Sequence, residues 1–142
     1  MVFTHQGAYW VERMPRDYRV SYPADLEEYR RMTERIDENL GGAVFHEGIR
    51  EVGPEFFETI FFPAIEKAEK DEVALYCGEY GVIDLAENQS KLHWLRDIHA
   101  AFRRHGIGCA LWNYKEKDFG LVDESFREIR EDFLKMNRES AS

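Results

Sequence analysis

The chain has 142 residues, with 28 Asp+Glu against 19 Lys+Arg for a net charge of −9, and is 44% hydrophobic and 14% aromatic. That is too apolar for a disordered chain, long enough for one domain with a real core, and too acidic for a surface that binds nucleic-acid phosphates. No apolar run approaches the roughly 18 residues of a membrane span, and the start, Met1 to Gln6, has neither the basic residues nor the apolar stretch of a secretory signal.

Residues 1–24 read as loop with a short strand at Val2–Thr4, punctuated by Gly7, Pro15 and Pro23 and carrying Tyr9, Trp10, Tyr18 and Tyr22. A helix is expected from Leu26 to Asn39. Asp25 is its N-cap, Glu28 completes a capping box, and Leu26, Tyr29, Thr33, Ile36 and Leu40 form its apolar stripe before Gly41-Gly42 stops it. A second helix starts at Pro54, a residue suited to the first helical position, and shows Phe57, Ile60, Phe61, Ala64, Ile65 and Ala68 on one face. Pro63 inside this pattern is expected to kink or split the helix at Phe62.

Two short apolar runs follow, Val73-Ala74-Leu75-Tyr76-Cys77 before Gly78-Glu79-Tyr80-Gly81, and Ile107-Gly108-Cys109-Ala110-Leu111-Trp112. Between them lies a helix, Gln89 to His105, with Leu92, Leu95, Ile98, Ala101 and Phe102 on its face and Gly106 as a left-handed cap. A last helix runs from Glu124 to Asn137 behind Asp123, carrying Phe126, Ile129 and Phe133. Strands apolar along their whole length predict burial on both faces, hence a parallel sheet covered by helices. The two runs with their intervening helix make one βαβ unit. Glu79 and Trp112 then stand at the C-terminal ends of neighbouring strands, the rim where α/β folds build ligand sites. Strict alternation would turn Cys77 and Cys109 to opposite faces, so both are expected as free thiols; two cysteines make no disulfide framework and lack metal-ligand spacing. No His-Glu-x-x-His pattern and no phosphate-binding glycine loop occurs, so no metal and no cofactor are expected. Trp94, on the helix between the strands, reads as packing, and His46, His93 and His99 as surface or half-buried residues.

Leu75-Tyr76-Cys77-Gly78-Glu79-Tyr80-Gly81, followed by Gly106-Ile107-Gly108-Cys109-Ala110-Leu111-Trp112-Asn113-Tyr114-Lys115, resembles the last two strands of a family 5 glycoside hydrolase. Phe3-Thr4-His5-Gln6-Gly7-Ala8-Tyr9-Trp10 is similar to the segment after the sixth strand in cellulase-like members. The order and spacing of these motifs agree over nearly the whole chain. The resemblance implies an α/β fold, the C-terminal portion, roughly half, of a TIM (β/α)8 barrel. Residues 1–142 then form a single partial unit. Its 1–53 segment is the loop and helix after the sixth strand, and 54–142 is helix–strand–helix–strand–helix. It further implies a retaining endoglucanase that acts on β-linked polysaccharides. Glu79 matches the nucleophile and Trp112 the aromatic platform under the sugar, while His5, Gln6 and Trp10 match a loop bordering the cleft. Similar enzymes are often secreted.

The departures are as informative. The family's acid/base glutamate follows an asparagine, and no Asn-Glu pair exists here; the His-x-Tyr pattern of the sixth strand is missing too. A full barrel needs roughly 250 residues. The resemblance therefore implies a chain that carries the nucleophile and lacks the acid, and that is inactive alone. Two other readings stay open at this point: a non-catalytic carbohydrate-binding remnant using Trp10 and Trp112, and a self-associating interaction module. Unpaired strand edges and inward-facing apolar side chains call for cover: the missing N-terminal half of the barrel, the 1–53 segment folded over the opening, or a second copy of the chain. For the isolated chain a dimer or larger homo-oligomer is the expected outcome.

Overall fold

The computed structural model describes residues 21–25, 27 and 51–139. The expected strand at Val2–Thr4, the helix at Leu26–Asn39 and the loop residues His5, Gln6, Trp10 and His46 lie outside these residues. The described elements are β1 (Ala24–Asp25), β2 (Glu51–Val52), α1 (Pro54–Asp71), β3 (Tyr76–Tyr80), α2 (Asn88–Arg104), β4 (Gly108–Leu111), a 3₁₀ turn (Glu124–Phe126) and α3 (Arg130–Glu139). β1 and β2 form a short antiparallel ladder, Ala24 opposite Val52, that no sequence pattern announced.

α1 opens as expected, with Gly53 as N-cap, Pro54 in the first turn and Glu55 complementing the positive end of the helix dipole. Pro63 does not split it: the helix continues to Asp71, where Glu72 turns left-handed at φ 55° and Val73 N–H reaches back to the Ala68 carbonyl at 3.0 Å. The physical reason is the side on which the ring sits. Phe62 and Pro63 are exposed, so water can satisfy the carbonyl left without a donor, while Phe57 on the other face is wholly buried. There Phe57 meets Trp94 of α2 edge-on at 5.4 Å, and Phe61 stacks on Phe102 at 5.5 Å. Leu95, Ile98, Ala101 and Phe102 complete the buried stripe of α2, and Trp94 packs in the core as its spacing predicts. Gly106, at φ 62°, lets the chain reverse after α2.

β3 and β4 are parallel neighbours, as the two apolar runs require, with Tyr76 opposite Gly108, Cys77 opposite Cys109 and Tyr80 opposite Leu111. The register slips between Cys77 and Tyr80, a bulge that breaks the alternation assumed from sequence. The register itself carries a correction. Cys77 and Cys109 stand side by side and share the helix-covered face with Tyr80, whose hydroxyl is 3.9 Å from the Cys109 sulfur. Both remain free thiols.

A second correction concerns burial. The helices cover only one face of the pair among the described residues. On the covered face Tyr80 is buried against Phe102 and His99; Tyr76, 69% exposed, and Trp112, 44% exposed, are not. Apolar composition signalled a two-sided strand, but only one layer of cover is described.

The last helix also starts later than its sequence suggests. Phe126, Arg127 and Ile129 accept the tighter i→i+3 turns, their N–H groups bonding Asp123, Glu124 and Phe126 carbonyls at 3.0, 3.1 and 3.3 Å. This brings Phe126, Ile129 and Phe133 into the core together. The Asp123 carboxylate accepts the Glu116 N–H at 2.8 Å rather than capping a helix.

Candidate active site

The C-terminal ends of β3 and β4 are joined by one backbone bond: Trp112 N–H donates to the Tyr80 carbonyl at 2.8 Å. Glu79 therefore stands one residue from the strand end that holds Trp112, and the two sequence-selected residues share a rim. Glu79 is half-buried. Trp112 leads into a cis peptide with Asn113. The contact between the strand ends is close. A Cβ on Gly81 would lie 2.6 Å from the Trp112 carbonyl oxygen and 2.9 Å from Phe119 Cδ1, so glycine is required there for space rather than for conformation.

The loops leaving the two strands are braced against each other. Asp84 N–H donates to the Asp118 carbonyl at 2.8 Å. Within the second loop, Leu121 and Val122 N–H groups bond the Asn113 and Tyr114 carbonyls, both at 3.1 Å, and Asn113 Nδ2 donates to the Lys117 carbonyl at 3.0 Å. Arg130 Nε donates to the Leu121 carbonyl at 3.0 Å from below. At the junction sits Lys91, 1% exposed. Its ammonium donates to the Ser125 carbonyl at 2.9 Å and the Asp84 carbonyl at 3.4 Å, and lies 5.9 Å from the Phe126 ring centre. Burial pulls the Lys91 pKa down, and the Asp84 charge opposes that shift. Burial likewise pushes Asp84 up, with Asp118 and Asp123 adding to the rise and Lys91 opposing it. One buried cation thus ties the loop after β3 to the loop after β4.

Beneath the rim, on the helix side, a second polar chain fixes Tyr80. Asn137 Nδ2 donates to the Phe133 carbonyl at 2.9 Å, which turns its Oδ1 towards His99 Nδ1 at 2.7 Å. His99 must then carry its proton on Nδ1, and its Nε2 accepts from the Tyr80 hydroxyl. His99 is buried, not a surface or half-buried residue as its sequence neighbourhood indicated. Desolvation lowers its pKa, the Asn137 bond partly offsetting this and the Arg103 charge adding to it, and keeps it neutral. Burial, with the Cys109 thiol next in effect, pushes the Tyr80 hydroxyl well above its ordinary range, so it stays a donor.

Lys91 and His99 were not singled out from sequence as parts of this site. A signal for them existed: Lys91, Leu95, Ile98 and Phe102 share the buried spacing, so a lysine occupied a core position of α2, and His99 lay beside it. Of the residues that were selected, Glu79 lies one residue before the end of β3 and Trp112 directly after β4; His5, Gln6 and Trp10 lie outside the described residues. No group of three or more His, Cys, Asp or Glu able to hold a metal occurs among the described residues.

Parallel strands joined by a crossover helix define an α/β unit of the kind that builds barrels and doubly wound sheets. No family model matches the chain. It is 33% identical to endoglucanase C of Acetivibrio thermocellus over 134 residues, which is 93% of this chain and 38% of that enzyme. It is 34% identical to cellodextrinase A of Ruminococcus flavefaciens over 105 residues, 74% of this chain and 24% of that protein. Among solved structures, Thermotoga maritima Cel5A, determined in complex with cellobiose, superimposes with a TM-score of 0.58 at 19% identity, covering 93% of this chain and 35% of that one. The chain is a relative of the cellulase-like endoglucanases of the family 5 type and corresponds to the C-terminal part of their barrel. It spans well under half the length of the curated relatives it matches.

Proposed function

We propose that this chain supplies the nucleophile side of a retaining glycosidase centre acting on β-linked polysaccharides. Glu79 is the nucleophile and Trp112 is the sugar platform. The Glu79 carboxylate attacks the anomeric carbon as the glycosidic C–O bond breaks, giving a glycosyl ester that water then hydrolyses. The leaving oxygen needs a proton from a second carboxyl about 5–5.5 Å away, and no Asn-Glu segment exists here to provide it. General acid catalysis of such a step is worth about 10²–10⁴-fold, so the chain by itself is inactive on unactivated glycans. Trp112 offers a flat apolar surface to the apolar face of a pyranose. His5, Gln6 and Trp10 border the same cleft in this reading.

The observation that supports the proposal is the 2.8 Å backbone bond from Trp112 N–H to the carbonyl of Tyr80, the residue after Glu79, together with the 44% exposure of Trp112. The test is a chimera in which this chain replaces the matching segment of A. thermocellus endoglucanase C. The folded chimera is expected to hydrolyse soluble β-glucan, the Glu79→Gln chimera to lose that activity, and the chain alone to show none. A folded chimera whose activity survives Glu79→Gln, or glucan turnover by the chain alone, overturns the reading.

A further inference from the structure

We propose that Cys77 and Cys109 form a paired-thiol modification site, which exchanges with low-molecular-weight disulfides and closes into a reversible bond between β3 and β4. The inference rests on the strand register and not on the role of Glu79. The two residues stand opposite each other across the parallel pair, and both are free. Neighbouring strands lie about 4.7–4.9 Å apart, inside the roughly 4.4–6.8 Å between Cα atoms that a disulfide spans. Both side chains stand on the helix-covered face. Cys109 Sγ is 3.9 Å from the hydroxyl of the buried Tyr80, and Cys77 packs against the same core. Burial pushes the Cys109 thiol up, the Tyr80 hydroxyl opposes this, and the Cys77 charge adds to the rise, as two sulfurs held close together require.

The two thiols divide the exchange between them. Cys109 is exposed and Cys77 half-buried. Cys109 also lines a cavity of about 380 Å³, beside His99, Phe102 and Ile107, so a small disulfide reaches it first. The Cys109 thiolate attacks one sulfur of that disulfide. The external S–S bond breaks, one thiolate leaves and is protonated by solvent, and Cys109 carries a mixed disulfide. Cys77, deprotonated in turn, attacks the Cys109 sulfur and expels the second thiolate. The protein gives up two electrons and two protons, and the external disulfide takes them up as two thiols. Held opposite Cys109, Cys77 outcompetes thiols in solution through its high effective concentration. The bond alters the strand ends. Cys77 S–H donates to the Glu79 carbonyl at 3.5 Å and Cys109 S–H to the Tyr80 hydroxyl oxygen. Oxidation removes both donors and ties β3 to β4 ahead of the irregularity that precedes Tyr80. The strand pair thereby has two covalent states, set by the thiol–disulfide balance around it.

The experiment equilibrates the full 142-residue chain with bis(2-hydroxyethyl) disulfide and 2-mercaptoethanol at about pH 8.5, near the ordinary thiol pKa. Acid quenching and intact-mass measurement read the products. The expected product is a single chain lighter by about 2 Da, the two hydrogens lost on closure. Its proteolytic map joins the Cys77 and Cys109 peptides, and dithiothreitol restores the starting mass. The ratio of closed to dithiol chain should be at least about tenfold higher in buffer than in guanidinium chloride at the same reagent ratio, because the fold holds the sulfurs together. Cys77→Ser should stop at the mixed disulfide on Cys109, an adduct that is only transient in the native chain. Two mixed disulfides per native chain, a bond between chains, two unreacted thiols, or an unmodified Cys109 in Cys77→Ser overturn the proposal. Equal ratios in the folded and unfolded chain also overturn it, and that comparison needs no variant to fold.

Discussion

Gly81 lies directly against Trp112: a Cβ at residue 81 would fall 2.6 Å from the Trp112 carbonyl oxygen. This approach lets the ends of β3 and β4 converge one residue beyond their last shared backbone bond. The rim geometry therefore depends on a missing side chain as much as on those present. Gly81→Ala is expected to force the strand ends apart and to lower stability by about 1–3 kcal/mol. Gly78→Ala meets nothing closer than Tyr76 at 3.7 Å, an ordinary contact, and should cost well under that. Urea denaturation of the two variants side by side decides this; equal losses would mean that the Gly81 contact is not what sets the rim.

The buried ammonium of Lys91 gives a second prediction. Lys91→Met keeps much of the side-chain volume but leaves the Ser125 carbonyl without its donor and the Asp84 charge without its counterpart. A buried acceptor left unsatisfied costs about 1–3 kcal/mol. Lys67→Met removes an exposed lysine paired with Asp71 one helical turn away, and should change stability by less than about 0.5 kcal/mol. Thermal unfolding that ranks the two the other way would show that Lys91 is not the tie between the loops.

The contrast between Lys91 and the strand pair shows what the sequence made legible. The parallel β3–β4 pair, α2 between them and the rim placement of Glu79 and Trp112 followed from two apolar runs separated by one helical period pattern. Those features depend on composition and spacing alone. The side-by-side thiols did not follow, because alternation is counted back from Glu79 and Trp112 at the strand ends, whereas the register that puts Cys77 opposite Cys109 is set before the irregularity between Cys77 and Tyr80. The late start of α3 was hidden for a similar reason: Phe126, Ile129 and Phe133 fit a helical period whether the first turn is α or 3₁₀. Pro63 misled in the other direction. Its helix-breaking tendency is local, and Phe57, Phe61 and Ala68 on the far face outweigh it.

The aromatic cluster supplies a third prediction. Phe57 is wholly buried and in ring contact with Trp94, Tyr22, Phe56 and Phe61. Phe57→Ala should cost about 3–5 kcal/mol, a large fraction of the stability of a domain this size. Phe62, 60% exposed on the same helix, should tolerate alanine within about 0.5 kcal/mol. Comparable losses at both positions would place α1 differently from the packing described.

The last prediction concerns acid. His99 is neutral in the fold because desolvation, and secondarily the Arg103 charge, hold its pKa below the ordinary 6.5. In the unfolded chain it returns to that value and binds a proton more readily. Between the depressed folded pKa and 6.5 the unfolded state therefore carries the extra proton, and stability rises with pH across that window. The contribution is complete above about pH 6.5, falls as the medium is acidified, and levels off once His99 is protonated in both states. Asp84, with its pKa raised by burial, acts in the opposite sense: its contribution is largest in acid and is lost as pH rises from below 3.8 through its folded pKa. The two are separated by comparing the native chain with His99→Gln. Glutamine can still accept from the Tyr80 hydroxyl and donate towards Asn137, but it does not titrate. Urea midpoints measured from pH 7.5 down to pH 5 should fall more steeply for the native chain than for His99→Gln, with the difference opening below pH 6.5. Parallel curves for the two would show that His99 is not the acid-sensitive group beneath the rim.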